Sequence, residues 1–239
     1  MQDLQSVTIC KVCGASVGEK YCGQCGQLQI IKRITFKSLL HDVFHLFTHL
    51  DKGISYTLKR LLVSPGVMQR EYVEGDRARH QKPFSMFFIC ATLAGLSRYW
   101  VYLGIIHYHD LSGLEDEAKF FHNYLVIVHV FMSPVYALII YLFFYRSKYN
   151  YAEVGVLVLY TFSFFFLMIS FAALLRLVWP SLETDYVEAP IAAVYSAITF
   201  VNFFFEEKKW LVVVKSIVAL AFVFLAANLC EDAVRNFLS

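Results

Sequence analysis

The sequence predicts an all-α integral membrane protein of about five transmembrane helices, preceded by a small zinc ribbon and amphipathic interfacial helices. Three observations carry this prediction. Of 239 residues, 58% are hydrophobic and only 17% are charged, against about 45–50% and 25% in soluble domains. The charge is segregated, because twelve of the 21 Lys/Arg fall in residues 1–82 and the runs after Pro83 hold almost none. Finally, two Cys-x-x-Cys knuckles, Cys10/Cys13 and Cys22/Cys25, each end on a glycine, Gly14 or Gly26. That is the ligand spacing of a tetrahedral thiolate site.

Residues 1–30 read as the ribbon. The stretch from Cys10 to Cys25 is too short to bury a core, so metal binding must supply the folding free energy, roughly 10–16 kcal/mol in zinc-finger peptides. The expected cofactor is one structural Zn²⁺ per chain on Cys10, Cys13, Cys22 and Cys25. A closed set of four ligands leaves no open position for catalysis, and two adjacent pairs suit a metal better than a redox couple. Free thiols also place this segment in the reducing cytosol. Nucleic acid is not the expected partner, since only Lys11, Lys20, Lys32 and Arg33 would form its basic footprint. The polar beginning of the sequence lacks the pattern of a cleaved leader, which leaves insertion to the first membrane segment.

Residues 31–82 read as amphipathic juxtamembrane helices. Phe36, Leu39, Leu40, Val43, Phe47 and Leu50 follow the spacing of one helical face, and the opposite face carries Ser38, His41, Asp42, His45 and His49. These histidines are candidates for a secondary metal or pH-sensing stripe. A solvated helix face accounts for them more simply, because a third ligand on one ridge cannot close around the ion that His41 and His45 would share. A second stretch, Ile54–Leu62, ends at Ser64-Pro65-Gly66, a turn signal. Another, Val67–Val73, stops at Gly75, a natural residue for the position after a helix. Apolar faces flanked by Arg77, Arg79 and Lys82 predict contact with the bilayer and with anionic lipids on its cytosolic face.

A Cys₄ ribbon followed by Thr35-Phe36-Lys37, Ser64-Pro65-Gly66, Arg70-Glu71-Tyr72-Val73-Glu74-Gly75-Asp76-Arg77 and Pro83 resembles an uncharacterised bacterial inner-membrane family. That family is a domain of unknown function with an N-terminal zinc ribbon and a helical membrane bundle. The resemblance spans residues 10 to about 105, with Arg70, Glu74, Gly75, Arg77 and Pro83 as motif positions. It implies the bacterial inner membrane as location, and no activity.

Residues 83–239 read as the bundle, with spans at about 84–106, 124–145, 154–178, 187–205 and 210–229. Each is long enough to cross a ~30 Å hydrocarbon core, and Trp100, Tyr145, Trp179 and Trp210 mark interfacial ends. The head and the 146–153 and 206–209 turns carry sixteen Lys/Arg, against Lys119 and Arg235 on the other side. The positive-inside rule therefore predicts a cytosolic N-terminus and an outer C-terminus. The fourth span, with Ser196, Thr199 and Asn202, is the most polar.

Charges within spans are candidates for function. Arg98 and Lys215 are read chiefly as snorkelling toward headgroups, with Glu188 a conceivable partner for Arg98. Pro134 is expected to kink the second span, as packing or as a transporter hinge. His107 and His109, two apart in a presumed outer loop, are a further metal candidate beside the outer acids. Small ridges such as Ala91-x-x-x-Gly95 suit close helix approach, within the chain or in a homo-oligomer. No His-Glu-x-x-His, Gly-x-Ser-x-Gly or glycine-rich phosphate loop appears. The leading expectation is thus a non-enzymatic membrane protein whose ribbon docks a cytosolic or membrane partner. A small-solute or ion transporter is the alternative, and a membrane enzyme using the outer His and acid residues is a weaker one.

Overall fold

A computed structural model describes residues 8–10, 12–17, 20–28, 33–39, 53–109, 115–179, 182 and 184–238, with the side chains of 8, 108–109, 115–123, 125–126, 185 and 235–238 outside that description. His41, His45, His49 and the side chain of His109 therefore lie outside the described residues.

Strand β1 (Thr8–Ile9) pairs antiparallel with β2 (Ser16–Val17) in the register Thr8↔Val17 and Ile9↔Ser16, and a single bridge joins Tyr21 to Leu28. Helical backbone resumes at residues 36–39. Its start is a reciprocal cap: the Ser38 N–H donates to the Thr35 hydroxyl oxygen (3.3 Å) and the Thr35 N–H to that of Ser38 (3.0 Å), satisfying donors that a helix start leaves orphaned. Two short helices follow, α1 (Ile54–Val63) and α2 (Val67–Glu74), separated by Ser64-Pro65-Gly66 as the turn signal predicts. Gly75 ends α2 with φ +123°, a conformation that favours glycine.

Five long helices complete the chain: α3 (Pro83–His109), α4 (Glu115–Phe143), α5 (Tyr151–Leu175), α6 (Asp185–Phe203) and α7 (Lys209–Leu238). Pro83 opens α3, where a missing N–H costs nothing. Asn150 and Glu153 cap α5, with the Glu153 N–H donating to Asn150 Oδ1 (3.0 Å) and the Asn150 N–H to Glu153 Oε2 (2.9 Å). Helix α5 is the central rod. It packs against α3, α4 and α6, while α7 lies against α4 and α6. Its residues Val154 and Val156 through Tyr160 are all buried, as expected of a helix that is apolar all round.

Pairs of aromatic rings fill the bundle. Phe164 stacks on Tyr195 at 3.6 Å between centroids, Phe144 on Phe204 at 4.0 Å and Tyr136 on Phe162 at 4.8 Å. The aromatic run from Tyr160 to Phe171 divides between core and surface, since Tyr160 and Phe166 are buried while Phe171 is 65% exposed.

Among the described residues, four helical segments are long and apolar enough to cross a membrane: Pro83–His107, Tyr151–Leu175, Tyr186–Phe203 and Lys209–Val234. Where a fifth is expected, α4 is helical throughout, and Ile127–Phe143 is its shorter apolar stretch among the described residues. Helix limits outrun the hydropathy at three places, the first being α4, which begins at Glu115 and not near 124. Helix α3 continues through His109, so His107 and His109 sit on helix and not in the expected loop; α7 continues past Leu229 to Leu238. Hydropathy tracks the hydrocarbon core, whereas residues such as Glu231 and Asp232 extend a helix into a polar region without difficulty.

Candidate metal centre and the seam beneath it

The two knuckles are built alike. The Cys10 N–H donates to the Ala15 carbonyl (2.8 Å) and the Gly14 N–H to that of Cys10 (2.9 Å); Cys22, Gln27 and Gly26 repeat the pattern at 2.9 and 2.8 Å. Each turn needs a left-handed residue, and Gly14 and Gly26 supply it at φ +75° and +73°. This geometry brings Cys10, Cys13, Cys22 and Cys25 together with all four Sγ atoms within 4.8 Å of one another. Cys10 and Cys25 stand 3.7 Å apart and Cys13 and Cys22 3.5 Å apart. Ligands 2.3 Å from a tetrahedral centre would be about 3.8 Å apart, so the quartet could hold a metal ion with little rearrangement.

The electrostatics point the same way. Backbone groups of Cys13 and Val12 pull the Cys10 thiol down to about 6, and those of Cys25 and Gln24 lower Cys22. At Cys25 the Gln27 backbone also pulls downward, but burial and the three neighbouring thiols outweigh it and push the thiol up to about 12. Four sulfurs so close cannot all ionise without a cation among them.

The ribbon does not hang free on its tether. Gln27, 6% exposed, donates from Nε2 to the Gly75 carbonyl (2.6 Å), and its Oε1 accepts from the Arg77 and Ala78 N–H groups (3.3 and 3.2 Å). One glutamine thus fastens the ribbon to the turn after α2.

Below the ribbon, α1, α2 and the link to α3 cover one end of the bundle. The Pro65-Gly66 turn presses on α6 so closely that a Cβ on Gly66 would lie 2.1 Å from the Thr199 carbonyl oxygen. Asn202 Nδ2 donates to the Pro65 carbonyl (2.8 Å), and the Tyr195 hydroxyl donates to the Leu61 carbonyl (3.1 Å). Gln81 ties the link to both sides: its N–H donates to Thr57 Oγ1 (2.8 Å), its Nε2 to Ser85 Oγ (2.8 Å), and its carbonyl accepts from the Tyr160 hydroxyl.

The motif residues converge on this seam. Arg70 donates to the Asn202 carbonyl (3.0 Å) and lies 4.4 Å over the Phe205 ring. Glu74 pairs with Lys148 at 3.2 Å, and Lys148 also reaches Glu206 at 3.0 Å. Arg77 donates to the Tyr72 and Val73 carbonyls (3.2 and 3.3 Å), which places a cation on the negative end of α2. Arg33, read from sequence only as part of a weak basic footprint, pairs bidentately with Glu153 at 2.9 and 3.0 Å and donates to the Lys148 carbonyl at 2.7 Å. Glu153 is only 4% exposed. The signal that finds it is Asn150-x-x-Glu153, a capping pattern ahead of an apolar run.

Within the bundle, the predicted charged sites acquire partners. Arg98 meets Glu188 at 3.1 Å, joining α3 to α6, and Lys215 turns toward the head side to meet Glu207 at 2.6 Å. Pro134 leaves the Val130 carbonyl without its helical donor, and the Ser133 hydroxyl donates to that carbonyl instead (2.9 Å). The Tyr151 hydroxyl donates to the Pro134 carbonyl (2.9 Å). The proline is thus accommodated by its neighbours. The structure brings neither His107 nor Pro134 to the cysteine quartet.

A family model described as a protein of unknown function (DUF3667) matches residues 51–95. That segment comprises α1, α2, the 75–82 link and the first half of α3, which is the seam just described. No curated protein and no solved structure matches the chain.

Proposed function

We propose that the chain is a multi-pass bacterial inner-membrane protein in which a structural Zn²⁺ on Cys10, Cys13, Cys22 and Cys25 folds a ribbon that docks a cytosolic or membrane partner. The observation that carries this reading is the attachment of the ribbon. A ribbon held by Gln27 to the seam presents its outer surface, with Ile9 and Tyr21 67% and 55% exposed, in a fixed attitude to the bundle. The ion supplies folding free energy and no reaction step. Bilayer and anionic lipid contact on the head side is supported by exposed Phe36, Leu62, Val63 and Trp210 beside Lys208 and Lys209.

The proposed topology has five spans, with residues 8–28 cytosolic and the end of α7 outside. In support, the 144–150 and 204–208 turns meet the head at one end of the bundle through Lys148–Glu74 and Arg70–Phe205, so the basic segments share a side. A reporter fused after α7 tests the topology, and cytosolic reporter activity would sink it. Docking is tested by cross-linking and co-purification of the full chain with and without Cys22→Ser. A partner lost with the substitution supports the proposal, and identical partner sets overturn it.

A further inference from the structure

The seam holds a second cluster of metal-ligating groups, away from the thiolates. Glu71 lies in the last turn of α2. Gly75, at φ +123°, turns the chain so that the Asp76 N–H donates back to the Glu71 carbonyl (2.9 Å). Asp76 thereby sits beside Glu71. The link then runs to His80, whose N–H donates to the Arg77 carbonyl (3.3 Å). One ligand atom from each of Glu71, Asp76 and His80 falls within 4.8 Å of the other two.

Two carboxylates near a histidine would by themselves mean little. The imidazole carries the argument. His80 is only 4% exposed, and among the described residues neither Nδ1 nor Nε2 has a hydrogen-bond partner. Buried polar groups are almost always satisfied, and an imidazole with both nitrogens unpaired loses that stabilisation twice. The ring is held in place by aromatic neighbours, with Tyr56 at 5.1 Å and Tyr72 at 6.3 Å between centroids. One of its nitrogens is therefore held within 4.8 Å of an oxygen of each carboxylate.

We infer that Glu71, Asp76 and His80 form a second metal site, for a first-row divalent cation such as Mn²⁺, Fe²⁺ or Zn²⁺, set into the turn that carries the ribbon. The donor set of one imidazole and two carboxylates suits such ions. Ligands about 2.1 Å from one ion stand about 3–4.2 Å apart, so small side-chain rotations close the observed spread. Arg60 holds Glu71 through Oε2, and Arg79 donates to both Asp76 oxygens, to Oδ2 at 2.6 Å and to Oδ1 at 3.4 Å. Glu71 keeps its second oxygen for the cation, and Asp76 offers Oδ1, whose contact with its arginine is long. The arginines orient the carboxylates and offset their charge, which makes for an exchangeable ion rather than a permanent one. The site would couple cation occupancy to the stability of the 75–82 link.

The test is a Mn²⁺ titration of the full chain in detergent, dialysed free of loosely held ions and read by electron paramagnetic resonance. Mn²⁺ is chosen because a thiolate quartet holds it poorly. The expected result is one equivalent bound, retained in Cys22→Ser and lost in both His80→Gln and Asp76→Asn. His80→Gln removes a buried ring, so Asp76→Asn, at a partly exposed position, keeps the test decisive if the first variant fails to fold. Absence of Mn²⁺ binding in the natural chain overturns the inference, as does undiminished binding in Asp76→Asn.

Discussion

The seam and the bundle use polar side chains in opposite ways. In the seam they reach across elements: Gln27 joins the ribbon to the α2 turn, Gln81 joins the link to α1 and α3, and Asn202 joins α6 to Pro65. In the bundle, hydroxyls bend back onto their own helix. Thr161, Ser163, Ser170 and Thr199 each donate to the carbonyl four residues earlier, at 2.7–2.8 Å. The bundle therefore coheres through shape, aromatic stacking and small-residue contact, and the seam coheres through directional bonds that each have one correct partner. A bundle lesion should leave a cavity, whereas a seam lesion should disconnect two elements.

The largest expected effect falls on the ribbon. Cys22→Ser should abolish zinc binding at the thiolate quartet and expose residues 8–28 to protease, since metal binding is worth roughly 10–16 kcal/mol in such modules. Far-ultraviolet circular dichroism should barely change; a collapse of helical signal would break the distinction between head and bundle. Next is Phe144→Ala in the core, where a fully buried ring stacked on Phe204 is removed. A loss of about 3–5 kcal/mol is expected, read as reduced thermal stability with the ribbon's metal retained.

Gly66→Ala attacks the junction itself. Its φ of +79° and the 2.1 Å approach to the Thr199 carbonyl oxygen should cost about 2–3 kcal/mol and raise proteolysis of the 75–82 link. Gln27→Ala strands the Ala78 N–H and leaves the Gly75 carbonyl and the Arg77 N–H only each other (3.0 Å), at about 1–2 kcal/mol. Hydrogen exchange should speed up at Arg77 and Ala78 and stay unchanged in α5. The smallest effect is expected for Lys148→Ala, whose ion pairs are exposed; it should cost under about 1 kcal/mol and shrink further in high salt.

These two kinds of cohesion also explain what could be read from sequence. The quartet Cys10, Cys13, Cys22 and Cys25 and the short helices around Ser64-Pro65-Gly66 were legible because each follows a local spacing rule. So was the presence of apolar helices after Pro83, since burial in lipid leaves a compositional trace. The seam was not legible in its details. Gln27 and Gly75 are 48 residues apart, and Arg33 and Glu153 are 120 apart, and no local pattern announces such pairs. Arg98–Glu188 is similar: each charge was visible, and only the folded arrangement of the bundle shows that they meet. Hydropathy also misjudged helix ends at His109 and Leu238, because it measures the solvent around a helix and not the helix.

The Gln27 clamp has a mechanical consequence. Its carbonyl oxygen grips the backbone at Ala78, and only four residues separate that grip from Pro83, where the first long apolar helix begins. A load applied to the ribbon therefore enters the chain near the root of α3. The ribbon is a short lever whose fulcrum sits beside the membrane.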